Sequence, residues 1–198
     1  AFDFMSMEIG QAVVDDLISM VVTANATTNP LGIASDSIRF VALSNRAERR
    51  TDTYRDAQVV AYFVSTTHTN QTAGLWRRTS EKFNVGSTLA RAYSGDANWW
   101  TQLNLETTGF DANVISPEVI KLKFSVTNTN VTTYADGYRS NAHGLPLWVD
   151  IYLELLSPQE FERALLMSGT ARADYIRQKA RRYSSRVYLQ NRQQPVTY

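Results

Sequence analysis

The sequence predicts an α+β fold in which one helix packs on a mostly antiparallel sheet. Three observations carry this. Near the N-terminus, apolar residues recur in alternating steps of three and four, at Phe2, Met5, Ile9, Val13, Leu17 and Met20, the period of a helix with one buried face. Farther on, 119–126 and 147–155 alternate apolar with polar residues, as half-buried antiparallel strands do. Turn-type residues and one well-formed helix start divide the rest into short elements. The helix needs a surface for its stripe and the sheet needs a cover, so packing one on the other satisfies both.

The first helix is expected over residues 1–22, ending where 23–30 (TANATTNP) brings poor helix formers and a proline. It opens at Ala1 with no capping residue, which reads as a helix entered partway along. The segment 37–43 (SIRFVAL) is a short apolar strand. Segments 58–64 (QVVAYFV) and 75–78 (LWRR) flank the polar turn 69–74 and read as a hairpin. The stretch 80–116 is less regular, with a short helix over 87–93 and a loop at 96–100.

In 119–126, Ile120, Leu122, Phe124 and Val126 face one way, and Lys121, Lys123 and Ser125 the other. In 147–155, Leu147, Val149, Ile151, Leu153 and Leu155 oppose Trp148, Asp150, Tyr152 and Glu154. A polar, turn-rich segment, 127–144, joins these strands. Ser157-Pro158-Gln159-Glu160 supplies a cap, a first-turn proline and a capping-box glutamate. Phe161, Leu165 and Leu166 give that helix its stripe, and Ser168-Gly169 ends it. A second polar helix over 171–182 and a strand over 183–189 follow. The helix of 1–22 and the β-rich head of 23–198 form one structural unit.

Composition narrows the function. The 198 residues suit one domain with its own core. A net charge of +1 exerts no global pull towards nucleic acid or an anionic membrane. There is no cysteine, which excludes disulfides and thiolate chemistry. No run reaches the ~20 apolar residues of a membrane-spanning helix.

The chemistry-bearing residues are sparse. His68 and His143 fall in separate loops and meet neither a zinc ligand set nor a Ser-His-Asp arrangement. Phosphate-cradling glycine loops are absent. Asp15-Asp16 is a carboxylate pair, but neighbouring helical residues point about 100° apart and cannot share a proton. Asp136-Gly137 and Gly95-Asp96-Ala97-Asn98 offer oxygens to calcium, yet lack the spacing of a calcium loop and read as turns. The basic segment 171–192 reads as a solvated helix and edge strand rather than a nucleic-acid surface. Trp99-Trp100 is a candidate ligand surface, against the plainer reading of one core ring and one partly covered ring. The expectation is therefore no catalysis, no cofactor, no small-molecule substrate and no nucleic acid, with calcium the one metal left open.

Four local patterns carry a resemblance. These are Ser37-Ile38-Arg39-Phe40-Val41, then Val60-Ala61-Tyr62-Phe63-Val64 before Leu75-Trp76-Arg77-Arg78. Next comes 120–126, then Leu145-Pro146-Leu147-Trp148-Val149-Asp150-Ile151, and finally the ending 181–192 (RRYSSRVYLQNR). In this order they resemble the J-type minor pseudopilin of type II secretion and the W-type minor pilin of type IV pili. The second pattern is a V-x-Y … L-x-R pair and the third ends in an LP-x-x-V-x-I element; it is the run of four in order that carries the match.

The resemblance implies a pilin-like fold whose residues 1–22 are the lower half of a stalk helix. It implies a non-enzymatic assembly subunit at or near a filament tip, partnered by other minor and major pilins or pseudopilins. A membrane-spanning helix upstream would hold it in the inner membrane of a bacterial envelope with its head in the periplasm. Phe2, Ile9, Val13, Leu17 and Met20 are then the helix-to-sheet contacts, and Phe4, Met5, Met7 and Val14 the candidates for contact with neighbouring subunits. The alternative is a secreted carbohydrate- or ligand-binding β-domain using Trp99 and Trp100.

Overall fold

The computed structural model describes residues 2–15, 17–43, 54–66, 73–82, 87–103, 105 and 112–190. Asp16, His68, most of the expected hairpin turn and the Asn191-Arg192 ending lie outside them. In chain order the elements are α1 (Phe2–Gly10), β1 (Ala12–Val13), β2 (Val21–Thr28), β3 (Ala34–Leu43), β4 (Tyr54–Thr66) and β5 (Ala73–Lys82). Then come α2 (Thr88–Tyr93), a 3-10 turn (Trp99–Gln102), β6 (Ala112–Ser116), β7 (Val119–Asn128), β8 (Thr133–Tyr134) and β9 (Tyr138–Arg139). The chain closes with α3 (Ser140–His143), β10 (Pro146–Leu155), α4 (Pro158–Leu165), α5 (Gly169–Lys179) and β11 (Arg181–Tyr188).

The strands form two sheets rather than one. The larger runs β6-β5-β4-β3-β2-β9, with β1 also pairing β3, and the smaller runs β11-β10-β7-β8. Every pairing is antiparallel, including the expected β4–β5 hairpin, where Phe63 faces Trp76 and Tyr62 faces Arg77.

The main core lies between the sheets. Ile38, Phe40, Tyr62 and Leu75 of the larger sheet meet Ile120, Leu122, Val149 and Ile151 of the smaller, joined by Met5, Ile9, Phe161 and Ile176 from the helices. A second core covers the opposite face of the larger sheet, where Val41, Val59 and Ala61 pack on Leu89, Ala92, Trp99 and Leu103. Burial on both faces is why 59–64 reads as an unbroken apolar run rather than an alternating one.

The sheets are pinned by polar side chains as well as by packing. The β7 edge turned towards β3 would strand its backbone groups, and side chains occupy them. Asn29 Nδ2 donates to the Ile120 carbonyl at 2.7 Å, and Ser35 Oγ accepts from the Leu122 amide at 3.2 Å. The fully buried Asp36 carboxylate accepts from the Phe124 amide at 3.1 Å, Lys123 Nζ at 2.7 Å and the Asn25 amide at 2.9 Å. Asn25 sits at φ 49 inside a register shift of β2, so the same carboxylate fixes that irregularity.

The long first helix of the sequence reading is corrected. α1 stops at Gly10, a poor helix former, and the Gln11 amide closes the last turn on the Met7 and Glu8 carbonyls at 3.1 and 3.2 Å. Ala12 and Val13 then pair with Ala42 and Val41 of β3. Asp15 Oδ1 caps a tight turn, accepting from the Leu17 and Ile18 amides at 2.7 and 2.6 Å. Residues 21–28, rich in Val and Thr, form a strand, as β-branched side chains favour. The three-four spacing of Val13 and Met20 therefore arises from strand and loop residues that happen to be covered. Leu17, on the same expected stripe, is 59% exposed.

Smaller differences have local causes. Bulges at both ends of β10 leave Leu147 and Leu155 only half-buried, while Val149, Ile151 and Leu153 face the core as expected. α4 has its predicted cap, with Ser157 Oγ donating to Glu160 Oε2 at 3.0 Å, but Leu166 lies past its end and is exposed. Segment 127–144, expected as a loop, holds β8, β9 and α3. Arg181 and Arg182 open β11 rather than closing a helix.

Candidate functional site

α1 presents two faces with opposite fates. Met5 and Ile9, one turn apart, enter the main core, and Phe2 packs at its margin. On the outer side Phe4 is 40% exposed and Met7 52% exposed. Of the four subunit-contact candidates, Phe4 and Met7 stand on the surface; Met5 and Val14 are fully buried and cannot touch a neighbour in this fold. Of the expected helix-to-sheet contacts, Ile9 packs as predicted. Val13 and Met20 are covered from non-helical positions, and Leu17 is not covered.

Between these faces, Glu8 is 6% exposed and held by three side chains of the hairpin. Arg77 donates to it twice, from Nε to Oε2 at 2.8 Å and from Nη2 to Oε1 at 2.6 Å. The Tyr62 hydroxyl donates to Oε2, and Gln58 Nε2 approaches Oε1 at 3.4 Å. Tyr62 and Arg77 are direct cross-strand partners, so one point on the sheet supplies both donors. They are also the Tyr of the V-x-Y pattern and the Arg of the L-x-R pattern.

Burial and the adjacent carboxylate both push the Tyr62 phenol well above its ordinary value. Burial alone lowers Arg77, but its hydrogen bonds to Glu8 and the carboxylate's charge outweigh that and leave it raised. A buried pair of this kind specifies geometry more than it adds stability: removing one partner costs about 3–5 kcal/mol because the other is left unpaired. Arg77 also lies over the Phe4 ring, 5.6 Å from its centroid, tying the exposed aromatic to the same clamp.

Beside the exposed face runs a groove of about 360 Å³ between α1 and the edge strand β11, bordered by Ser6, Met7 and Gly10 on one side and Ser185, Val187 and Tyr188 on the other. The helix end lies against β11 at ordinary contact distance: a Cβ at Gly10 would stand 3.5 Å from Val187 Cγ1 and 3.6 Å from the Tyr188 carbonyl oxygen. The Gln190 amide donates to the Gly10 carbonyl at 3.2 Å, fastening the helix end to the chain beyond β11.

The remaining candidates are placed elsewhere. Trp99 is fully buried, its Nε1–H donating to Ser19 Oγ at 3.0 Å, so the expected Trp99-Trp100 ligand surface does not form. Trp100 is half-buried, with the Arg39 and Arg139 guanidinium carbons 5.4 and 4.8 Å from its ring centroid. Asp96, considered for calcium, accepts from the Asn98 amide at 2.9 Å and approaches Arg91 at 3.4 Å, so its oxygens serve a turn and an ion pair. His143 packs on Tyr134 and Tyr138, with ring centroids 4.4 and 5.7 Å away. Among the described residues, no three His, Cys, Asp or Glu side chains converge as metal ligands. No helix among them is long and apolar enough to cross a membrane.

Neither a protein-family model nor a curated protein sequence matches the chain. Among solved structures it is similar to a chain of the GspK-GspI-GspJ complex of the type 2 secretion system of enterotoxigenic Escherichia coli, at 14% identity and a TM-score of 0.47, covering 96% of this chain and 92% of that one. It is similar also to the type IV-like pilin TTHA1219 of Thermus thermophilus, at 9% identity and a TM-score of 0.48, covering 96% of this chain and 93% of that one.

Proposed function

We propose that this chain is the head of a prepilin-type minor subunit, a minor pilin or pseudopilin. Its role is assembly at or near the tip of a type IV pilus or type II secretion pseudopilus, without catalysis. The observation that carries the reading is the two-faced α1. One side is locked into the sheet by Met5, Ile9 and the Glu8–Arg77–Tyr62 clamp. The other leaves Phe4 and Met7 exposed. A rod held in fixed orientation on its own head, with apolar residues turned outward, suits head-to-tail packing against the rods of different neighbours.

Two of the sequence patterns support the reading, because they fall on strands that hold this helix. V-x-Y and L-x-R supply the clamp, and the ending from Arg181 supplies the strand beside α1. In this reading the rod continues upstream as a membrane-spanning helix, so the head stands in the periplasm, and the partners are other minor and major pilins or pseudopilins.

The test is co-purification. The natural full-length protein, solubilised from membranes in mild detergent, is expected to bring down other prepilin-type proteins of its operon. Recovery as a free secreted protein, with no prepilin-type partner, overturns the reading.

A further inference from the structure

The smaller sheet ends on one side at β11. The Leu189 amide donates to the Leu147 carbonyl at 3.4 Å, which sets the phase of the β10–β11 ladder. In an antiparallel ladder only alternate residues bond to a given neighbour. Val187, Ser185 and Tyr183 therefore turn their amides and carbonyls towards β10, and Arg186, Ser184 and Arg182 turn theirs outward. Gln190 continues the outward phase, and its amide donates to the Gly10 carbonyl at 3.2 Å. The end of α1 thus occupies the edge past Tyr188 and leaves the part from Arg182 to Arg186 open. Residues 181–184 are exposed, and no described residue bonds the outward backbone groups of Arg182, Ser184 and Arg186. An open edge of this kind is a template for a further strand.

Two features select what can pair there. The first is the groove beside the edge, which Ser185 and Val187 border from β11 and Ser6 and Met7 from α1. A strand added at the edge drops every second side chain on that side of the sheet, and Met7 and Val187 make the walls apolar. The second is charge. β11 carries Arg181, Arg182 and Arg186 and no acid. Arg182 and Arg186 lie on the solvent side, directly opposite Glu154 and Asp150. Asp150 is taken by Arg186, while Glu154 is shared between Lys121 at 3.6 Å and Arg182 at 3.8 Å. Positive charge is therefore in surplus along this edge. A second copy of the chain suits it poorly: paired symmetrically about Ser184, it would set arginine against arginine at 182 and 186.

We propose that the open edge of β11 takes an extended segment of another protein as an added strand, one alternating apolar with acidic residues. The apolar side chains enter the groove beside Met7, and the acidic ones lie opposite Arg182 and Arg186. Backbone hydrogen bonds supply affinity and the alternation supplies specificity. Edge arginines deter pairing with like strands and favour an acidic one. This inference does not rest on the assembly reading, because it needs only the edge and the groove.

The probe is a labelled synthetic peptide alternating valine and glutamate, titrated against the 198-residue chain by fluorescence anisotropy. Binding is expected with a Kd below about 1 mM, and lysine in place of glutamate should weaken it at least about tenfold. Two N-methylated peptides separate strand addition from charge attraction. Directly opposed residues share a face, so glutamates set opposite Arg182 and Arg186 point their amides at β11. N-methyl groups on the glutamate nitrogens should weaken binding at least about tenfold, and on the valine nitrogens by less than about threefold. Ser184→Pro removes one outward amide at an edge position, where proline is tolerated. It should weaken binding at least about tenfold with the thermal midpoint kept; if it fails to fold, the two methylated peptides decide. Absence of binding by the wild type overturns the proposal, as do equal effects of the two methylations or undiminished binding by folded Ser184→Pro. So does a wild-type dimer in sedimentation that Ser184→Pro dissolves, which would assign the edge to a second copy.

Discussion

Glu8, Tyr62 and Arg77 form a triad in which each member is costly to bury alone and inexpensive to bury together. Glu8→Ala leaves the Arg77 guanidinium in a half-closed socket without its carboxylate, so a loss of about 3–5 kcal/mol is expected in chemical denaturation. The pair replacement Glu8→Leu with Arg77→Met should lose much less than the single variants' sum, because it removes both charges and keeps the volume. Asp36 makes the same argument between the sheets. Asp36→Ala strands Lys123 and the Asn25 and Phe124 amides, and it too should cost about 3–5 kcal/mol.

Tyr62 adds a pH signature to the residue scale. Its phenol is raised in the fold, while in the unfolded chain it titrates near pH 10. Below that pH both states hold the proton and the contribution is complete. Above it the unfolded chain binds fewer protons than the folded one, so stability falls as pH rises towards the folded value. Tyr62→Phe should therefore show a shallower loss of stability between about pH 10 and 11.5 than the wild type does. Parallel curves would show that the phenol is not held as described.

At the scale of elements, the strands were legible because their signal is local. Alternation in 119–126 and 147–155 needs only a wet side and a dry side, and Ser157-Pro158 carries its cap within four residues. α1 was over-extended because periodicity records which residues are covered, not which backbone covers them. Met20 and Val13 fit the helical spacing while lying in loop and strand, and the break at Gly10-Gln11 was a weaker signal than the stripe. Two substitutions separate the long helix from the short one. Ile9→Ala should cost about 2–4 kcal/mol, as a core truncation does, whereas Leu17→Ser should change stability by less than about 0.5 kcal/mol. A large loss at Leu17 would restore the longer helix.

Across the whole molecule, what was not legible depended on register between distant strands. The clamp on Glu8 needs Tyr62 opposite Arg77, and no spacing within the chain announces that pairing. Two traces were nonetheless present: a Glu between Met7 and Ile9 on the helix, and a Tyr and an Arg at matched places in two patterns of one hairpin. Of the four outward candidates, Phe4 and Met7 lie on the surface, whereas Met5 and Val14 are buried in the core between the sheets.

α1 is fixed on the head with Phe4 and Met7 exposed, and in the proposed role these two side chains meet neighbouring subunits. Met7→Glu in the full-length protein tests it most directly, with co-purification of partner subunits and the thermal midpoint of the isolated head read side by side. Partners are expected to be lost while the midpoint of the head stays within about 2 °C of wild type, as for a surface substitution. Partners retained at the wild-type level, or a midpoint that falls together with partner recovery, would contradict it.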